Sequence, residues 1–356
     1  MSFSVQPSRI HTPVQESSPV EVKPVNRSTV YAEDSLSSCP VCGGCLSTIV
    51  SYVKGFFNWI LSFIWNSEAP QPDIGKIKER NAEVFHETLS FCNDQIKNKT
   101  SLGQAINASI RDQHFYVAET DFEAARPKPD GKTAFFLHQG DGIELAANLS
   151  SRKKNVLLLN PANATEPGGG VIYGARAYEE TICRRTALYP CLSDFHKTNS
   201  KYLSNGVLIS PNVSILRQAQ DKDYAFLPEP ERYSITILSS AAPRNSALNK
   251  ESTDYANPAA REEMKKLIFL QLNGAYYRFF DKPESALVLT AFGCGAFAHP
   301  PKVVAELYKE VIEKYFPNIF PEIYFAIIDD HNAKQAHNPE GNYKPFADVF
   351  KGATVM

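Results

Sequence analysis

What most narrows the folds open to this chain is a set of five short apolar runs, each closed by turn residues. They read TAFFLHQ, NVLLLN, YSITILSSAAP, ALVLTAF and EIYFAIID. Continuous runs of this length suit strands covered on both faces rather than strands with one wet face. Stretches with helical spacing precede and separate them: IGKIKERNAEVFHETLSFCNDQI, AREEMKKLIFLQLNGAYYRFF and PKVVAELYKEVIEKYF. Strands interleaved with helices predict a three-layer α/β/α sandwich. In such sheets ligands bind in the crevice beyond the carboxyl ends of the strands.

The chain of 356 residues is long enough for that sandwich and an appendage. Residues 1–38 are polar and proline-punctuated and predict a disordered arm. Residues 39–73 predict a Cys-rich segment, an apolar helix and a linker, and residues 74–356 have the composition of one globular domain. Lys and Arg number 37 against 39 for Asp and Glu, so the cationic excess that direct nucleic-acid binding requires is absent. The first thirty residues lack the apolar core of a Sec signal, which points to the cytoplasm or to secretion into a host cell by another route.

Cys39, Cys42 and Cys45 are one ligand short of a closed zinc site, and acylation beside an apolar helix fits them equally. The remaining four cysteines are scattered and read as buried thiols of a reducing compartment. In LSTIVSYVKGFFNWILSFIW, residues 46–65, the polar residues Ser47, Ser51, Lys54, Gly55, Asn58 and Ser62 form one helical stripe. They lie opposite Val50, Val53, Phe57, Ile60 and Ile64, the pattern of a helix lying in a membrane surface or docked on the body of the protein.

Two glycine-rich turns follow apolar runs. Gly168, Gly169 and Gly170 come soon after NVLLLN, and Gly293, Cys294, Gly295, Ala296 and Phe297 come directly after ALVLTAF. Such turns let backbone N–H groups approach an anion, and two of them could hold a pyrophosphate from opposite sides. The first has the spacing of neither a P-loop nor a dinucleotide fingerprint, and either turn would also serve as a plain connection. Glu179 and Glu180 point about 100° apart on a helix, so they cannot form a facing dyad. One carboxyl beside a sugar could act as an acid, although an acidic first turn also complements a helix dipole.

The segment LNPANATEPGGGVIYGARAYEETICRRTALYPCL resembles the signature of the microbial-type poly(ADP-ribose) glycohydrolases, a branch of the macrodomain family. The likeness continues through LISPNVSIL, ILSSAAPRN, LVLTAFGCGAFAHPPKVVAELYKEVI and YFAIIDD…NYKPFADVF, in order, across roughly residues 75–351. It implies a macrodomain-like sandwich with a mixed central sheet and an N-terminal helical extension. It assigns Asp141 to the adenine, Asn160 and Asn163 to the distal ribose, and Gly168, Gly169 and Gly170, with Val171 next to them, to a first phosphate loop. Gly293, Cys294, Gly295, Ala296 and Phe297 match the second loop, with Phe297 against the ribose.

The same resemblance makes Glu180 the catalytic acid and base and Glu179 its partner on the ribose hydroxyls. The reaction implied is cleavage at the anomeric carbon of the distal ribose, with no metal and no cofactor. Its partners would be poly(ADP-ribose) or an ADP-ribosylated protein, with ADP-ribose as product. Tyr178 stands where the family usually has Gln, and its phenol bears on whether polymer or single units, arginine-linked ones included, are removed. A reader that binds ADP-ribose without cleaving it is the competing expectation. Retention of both glutamates favours the hydrolase. A polar arm and a membrane-surface helix on such an enzyme would suit a bacterial effector.

Overall fold

The computed structural model describes residues 73–117, 131–199, 202–203, 206–243, 258–279, 282 and 284–356. The chain divides into two units at Gln71/Pro72, and every described residue lies in the second. The arm, the cysteine segment and the 46–65 helix fall outside the described residues. Among the described residues no helix is long and apolar enough to cross a membrane.

In chain order the described elements begin with helices α1, Ile74–Lys97, and α2, Ser101–Arg111, followed by strands β1, His114–Val117, and β2, Ala134–His138. Helix α3, Gly142–Ser151, precedes β3, Asn155–Ala162. Helices α4, Tyr178–Arg185, and α5, Leu188–Thr198, lead to β4, Gly206–Ser214, and β5, Ser234–Ala241. Then come α6, Pro258–Phe279; β6, Ser285–Leu289; α7, Pro301–Tyr315; β7, Glu322–Ala326; α8, Tyr343–Val349; and β8, Thr354–Val355.

The eight strands form one sheet in the order β1-β4-β5-β3-β6-β7-β2-β8. From β5 to β8 every pairing is parallel, and β4 pairs antiparallel with both β5 and β1. The sheet is therefore mixed, as expected. β3 sits near its centre, with Leu158 opposite Ile237 on one side and Val288 on the other. The five apolar runs are β2, β3, β5, β6 and β7.

Strand alternation sorts the β3 side chains into two layers. Leu157 and Leu159 enter a core with Met264, Ile268 and Leu272 of α6 and Val304, Leu307 and Tyr308 of α7. Val156 and Leu158 enter the opposite core with Ile143 and Ala146 of α3, Ile182 of α4, Leu188 and Leu192 of α5, and Phe85 of α1. Full burial of each such aliphatic side chain stabilises the fold by about 1.5–3 kcal/mol, so the two-sided sheet resists sliding by even one residue. With β2, β3, β6 and β7 running in one direction, the segments after His138, Ala162, Leu289 and Ala326 emerge at the same edge.

Candidate active site

At that edge a cleft is lined by residues from five chain segments, among them Asp141, Asn163, Gly169, Tyr178, Glu180, Ala242, Gly295, Phe297, Ile328 and Asn342. The segment after β3 turns at Asn163, whose Oδ1 accepts the N–H groups of Thr165 at 2.9 Å and Glu166 at 3.0 Å. Gly168 and Gly169 then take positive φ of 73° and 55°. A Cβ at Gly169 would lie 2.6 Å from Glu180 Oε1 and 3.2 Å from Glu179 Oε2, so both the backbone and the space demand glycine.

Helix α4 has no side-chain N-cap, and its first turn carries both glutamates, 4% and 7% exposed. Glu179 accepts from Asn163 N–H at 2.6 Å through Oε2 and from Gly168 N–H at 3.1 Å through Oε1. Glu180 Oε1 accepts from Gly170 N–H at 2.9 Å, and its buried Oε2 has no partner among the described residues. Gly169 N–H donates to Glu166 O at 2.9 Å and Val171 N–H to Gly168 O at 3.1 Å. Of the first loop's amides, those of Gly168 and Gly170 are thus taken by carboxyl groups of their own chain, and those of Gly169 and Val171 by backbone carbonyls.

Burial pushes the Glu179 carboxyl up to about 8. Its two backbone donors oppose that rise, and the charge of Glu180 adds to it.

The second loop is built differently. Gly293 has φ of 74°, and a Cβ there would lie 2.6 Å from the His299 ring and 2.9 Å from Ala242 Cβ. Cys294 turns its side chain into the core, where burial raises the thiol well above its ordinary value. Its carbonyl accepts from His337 Nε2 at 2.8 Å, which ties this loop to the segment after β7. Among the described residues, the amides of Gly295, Ala296 and Phe297 have no acceptor. They are the free donors of the cleft wall, as those of the first loop are not.

At the other end Asp141 caps α3, its Oδ1 accepting from Ile143 N–H at 2.7 Å and Glu144 N–H at 3.0 Å. Its Oδ2 pairs with the buried guanidinium of Arg185 on α4. The Tyr178 phenol reaches this corner, and its oxygen lies 2.2 Å from where a Cβ on Gly142 would stand. That hydroxyl is buried with no hydrogen-bond partner among the described residues, and burial raises it far above the ordinary phenol. The segment after β7 closes the cleft with Asp330, Asn332 and Asn342. Asp329 Oδ1 orders it by accepting from Asn342 N–H at 2.6 Å.

Of the residues expected from sequence, Asp141, Asn163, Gly169, Tyr178, Glu179, Glu180, Gly293, Gly295, Ala296 and Phe297 line one cleft. Asn160 is fully buried under it, donating to Ser239 Oγ at 3.0 Å. Val171 and Cys294 are also buried behind the wall, and Gly168 and Gly170 act through their amides. Sequence reasoning missed Arg176, Thr290, Asp330, Asn332 and Asn342. For the last three, their position after an apolar run was the available signal. Among the described residues no group of three or more His, Cys, Asp or Glu side chains could hold a metal ion.

Residues 84–218 match the family described as microbial-type poly(ADP-ribose) glycohydrolase, catalytic domain. A comparison with curated proteins finds no match. Among solved structures, the poly(ADP-ribose) glycohydrolase of Thermomonospora curvata is similar at 22% identity and a TM-score of 0.62, over 76% of this chain and 99% of that one. The same enzyme bound to the inhibitor ADP-HPD gives 22% identity and a TM-score of 0.59, again over 76% and 99%. The Deinococcus radiodurans enzyme in complex with ADP-ribose gives 22% identity and a TM-score of 0.56, over 69% of this chain and 97% of that one. The segment 84–218 is thus similar to the catalytic domain of the microbial-type poly(ADP-ribose) glycohydrolases, and the fold is the one those solved enzymes share.

Proposed function

We propose that the protein is an ADP-ribosyl glycohydrolase that seats ADP-ribose between its two glycine-rich loops and cleaves at the anomeric carbon of the distal ribose. One observation carries the reading. Glu180 lines the cleft with one oxygen held by Gly170 N–H and the other without a partner. A carboxyl fixed by one oxygen and unspent at the other can reach a glycosidic oxygen without first breaking a bond. The relatives solved with ADP-ribose and with ADP-HPD support the ligand class.

In this mechanism Glu180, protonated, gives its proton to the departing oxygen as positive charge develops on the sugar ring. Water then attacks the anomeric carbon, and Glu180 takes the proton it releases. The free amides of Gly295, Ala296 and Phe297 receive the diphosphate, whose binding orients the distal ribose against Glu180. Glu179 acts mainly by holding the exit of β3 and the first loop to α4, since both its oxygens already accept backbone N–H groups.

The protein is tested on poly(ADP-ribose), on arginine-linked and on acidic-residue-linked ADP-ribosyl proteins, with free ADP-ribose as the readout. Release from the polymer is the expected result. Binding of ADP-ribose with no release from any of the three would make the protein a reader and end the proposal.

A further inference from the structure

Arg184 is a fully buried guanidinium that the reaction above does not use. It sits one helical turn after Glu180 on α4 and is 1% exposed. Its Nη1 donates to Ala175 O at 2.6 Å and its Nη2 to Thr181 Oγ1 at 3.0 Å. Among the described residues no carboxylate forms an ion pair with it. The Ala175 carbonyl, the Thr181 hydroxyl and the Tyr224 ring 5.9 Å away meet the buried guanidinium without a paired carboxylate, so they offset the cost of burying its charge only in part.

The bonds around it close a ring. Ala175 N–H donates to Gly170 O at 3.2 Å. Gly170 N–H donates to Glu180 Oε1 at 2.9 Å. Ala175 O takes Arg184, which shares a helix with Glu180. The ring is tightly packed, since a Cβ on Gly170 would lie 2.9 Å from Ala175 Cβ. Arg184 O also accepts Thr88 Oγ1 of α1 at 2.8 Å, so the residue's main chain is anchored from the opposite side.

We propose that Arg184 is a positioning residue that, by fixing Ala175 and through it Gly170, sets which oxygen of Glu180 is held and which is left for the glycosidic bond. The inference rests on Glu180 being the acid. Its failure is distinguishable, because a wild-type protein that releases no ADP-ribose refutes the parent reading and leaves nothing here to measure. Arg184→Lys keeps the charge but cannot present two N–H groups in the same fork.

Kinetics of ADP-ribose release from poly(ADP-ribose) provide the test. For Arg184→Lys, kcat should fall about 10- to 100-fold while KM and the Kd for ADP-ribose stay within about twofold, the pattern of a displaced reacting group rather than a damaged binding site. A kcat equal to wild type, or a loss confined to KM, overturns the proposal. If that variant does not fold, the ring is broken at a second point. Gly170→Ala should lower kcat by its contact with Ala175, and the pair Gly170→Ala with Ala175→Gly should restore it. A single Gly170→Ala variant with wild-type kcat, or a pair that fails to recover, overturns the proposal as well.

Discussion

Glu179 accepts the N–H of Asn163 at 2.6 Å, joining the first turn of α4 to the exit of β3. Its neighbour Glu180 bonds only to Gly170 N–H and keeps one oxygen unspent. Under the proposed function, adjacent carboxyls on one helical turn would divide the work, one bracing the loop and one left for chemistry. The roughly 100° between successive helical side chains makes the division unavoidable.

Glu180→Gln keeps the acceptor for Gly170 N–H and removes the transferable proton. Release of ADP-ribose should fall by about 10²- to 10⁴-fold, with ADP-ribose affinity retained. Single-turnover release and calorimetric titration on the same preparation measure the two effects separately.

The folded protein holds a proton on Glu179 that the unfolded chain gives up near 4.5 and the folded one near 8. Between those values the native state binds more protons than the unfolded state, so stability from this group is present at low pH and is lost as pH rises toward about 8. Urea denaturation across that window should show the decline. The slope should flatten in Glu179→Gln, whatever that variant's absolute stability.

Gly174 has φ of 71°, and a Cβ there would lie 1.8 Å from Lys78 O of α1. Gly174→Ala therefore combines left-handed strain with a backbone clash and should cost at least about 2 kcal/mol in denaturation experiments. The clash would push α1 away from the turn that follows the first loop, so ADP-ribose release should fall along with stability.

Asp141→Asn preserves an oxygen to cap α3 but leaves the buried Arg185 without its counter-charge. The expected loss of stability is about 3 kcal/mol, read from the denaturation midpoint. Asp141→Ser, which also caps but is shorter, should be no better.

Tyr178→Phe removes a buried hydroxyl that has no partner among the described residues. Stability should equal the wild type or exceed it by up to ~1 kcal/mol. A drop in ADP-ribose affinity in the same variant would identify that hydroxyl as a ligand contact, and titration calorimetry measures it.

The sheet was legible because β3, β5, β6 and β7 are buried on both faces and leave uninterrupted apolar runs, while β2, near the sheet edge, is apolar but only partly buried. β4 was harder to read as a strand, since Pro211 and a register shift between Ser210 and Val213 interrupt it, with Asn212 at positive φ. The glutamates were legible as residues but not as an environment. An acidic first turn reads as solvent-facing, yet here both side chains are buried by loop amides that bond to them. The inward course of Cys294 was legible, since the four cysteines of the body read as buried thiols. The segment 329–342 has neither helical nor strand period, and its order comes from side chain to backbone bonds at Asp329 and Asn338. Local sequence carries no mark of those bonds.

The opposite rim of the sheet has its own fastening. Lys154 pairs with Glu322 at 2.7 Å, and Asn155 N–H donates to Glu284 O at 2.7 Å, lacing together the starts of β3, β6 and β7. Every loop that lines the cleft leaves from the far rim, so the connection around Arg152–Lys153 stands a strand's length from the chemistry. A fluorophore or short peptide grafted there would report on the protein while leaving turnover untouched, which makes that connection the natural handle for following this domain at work.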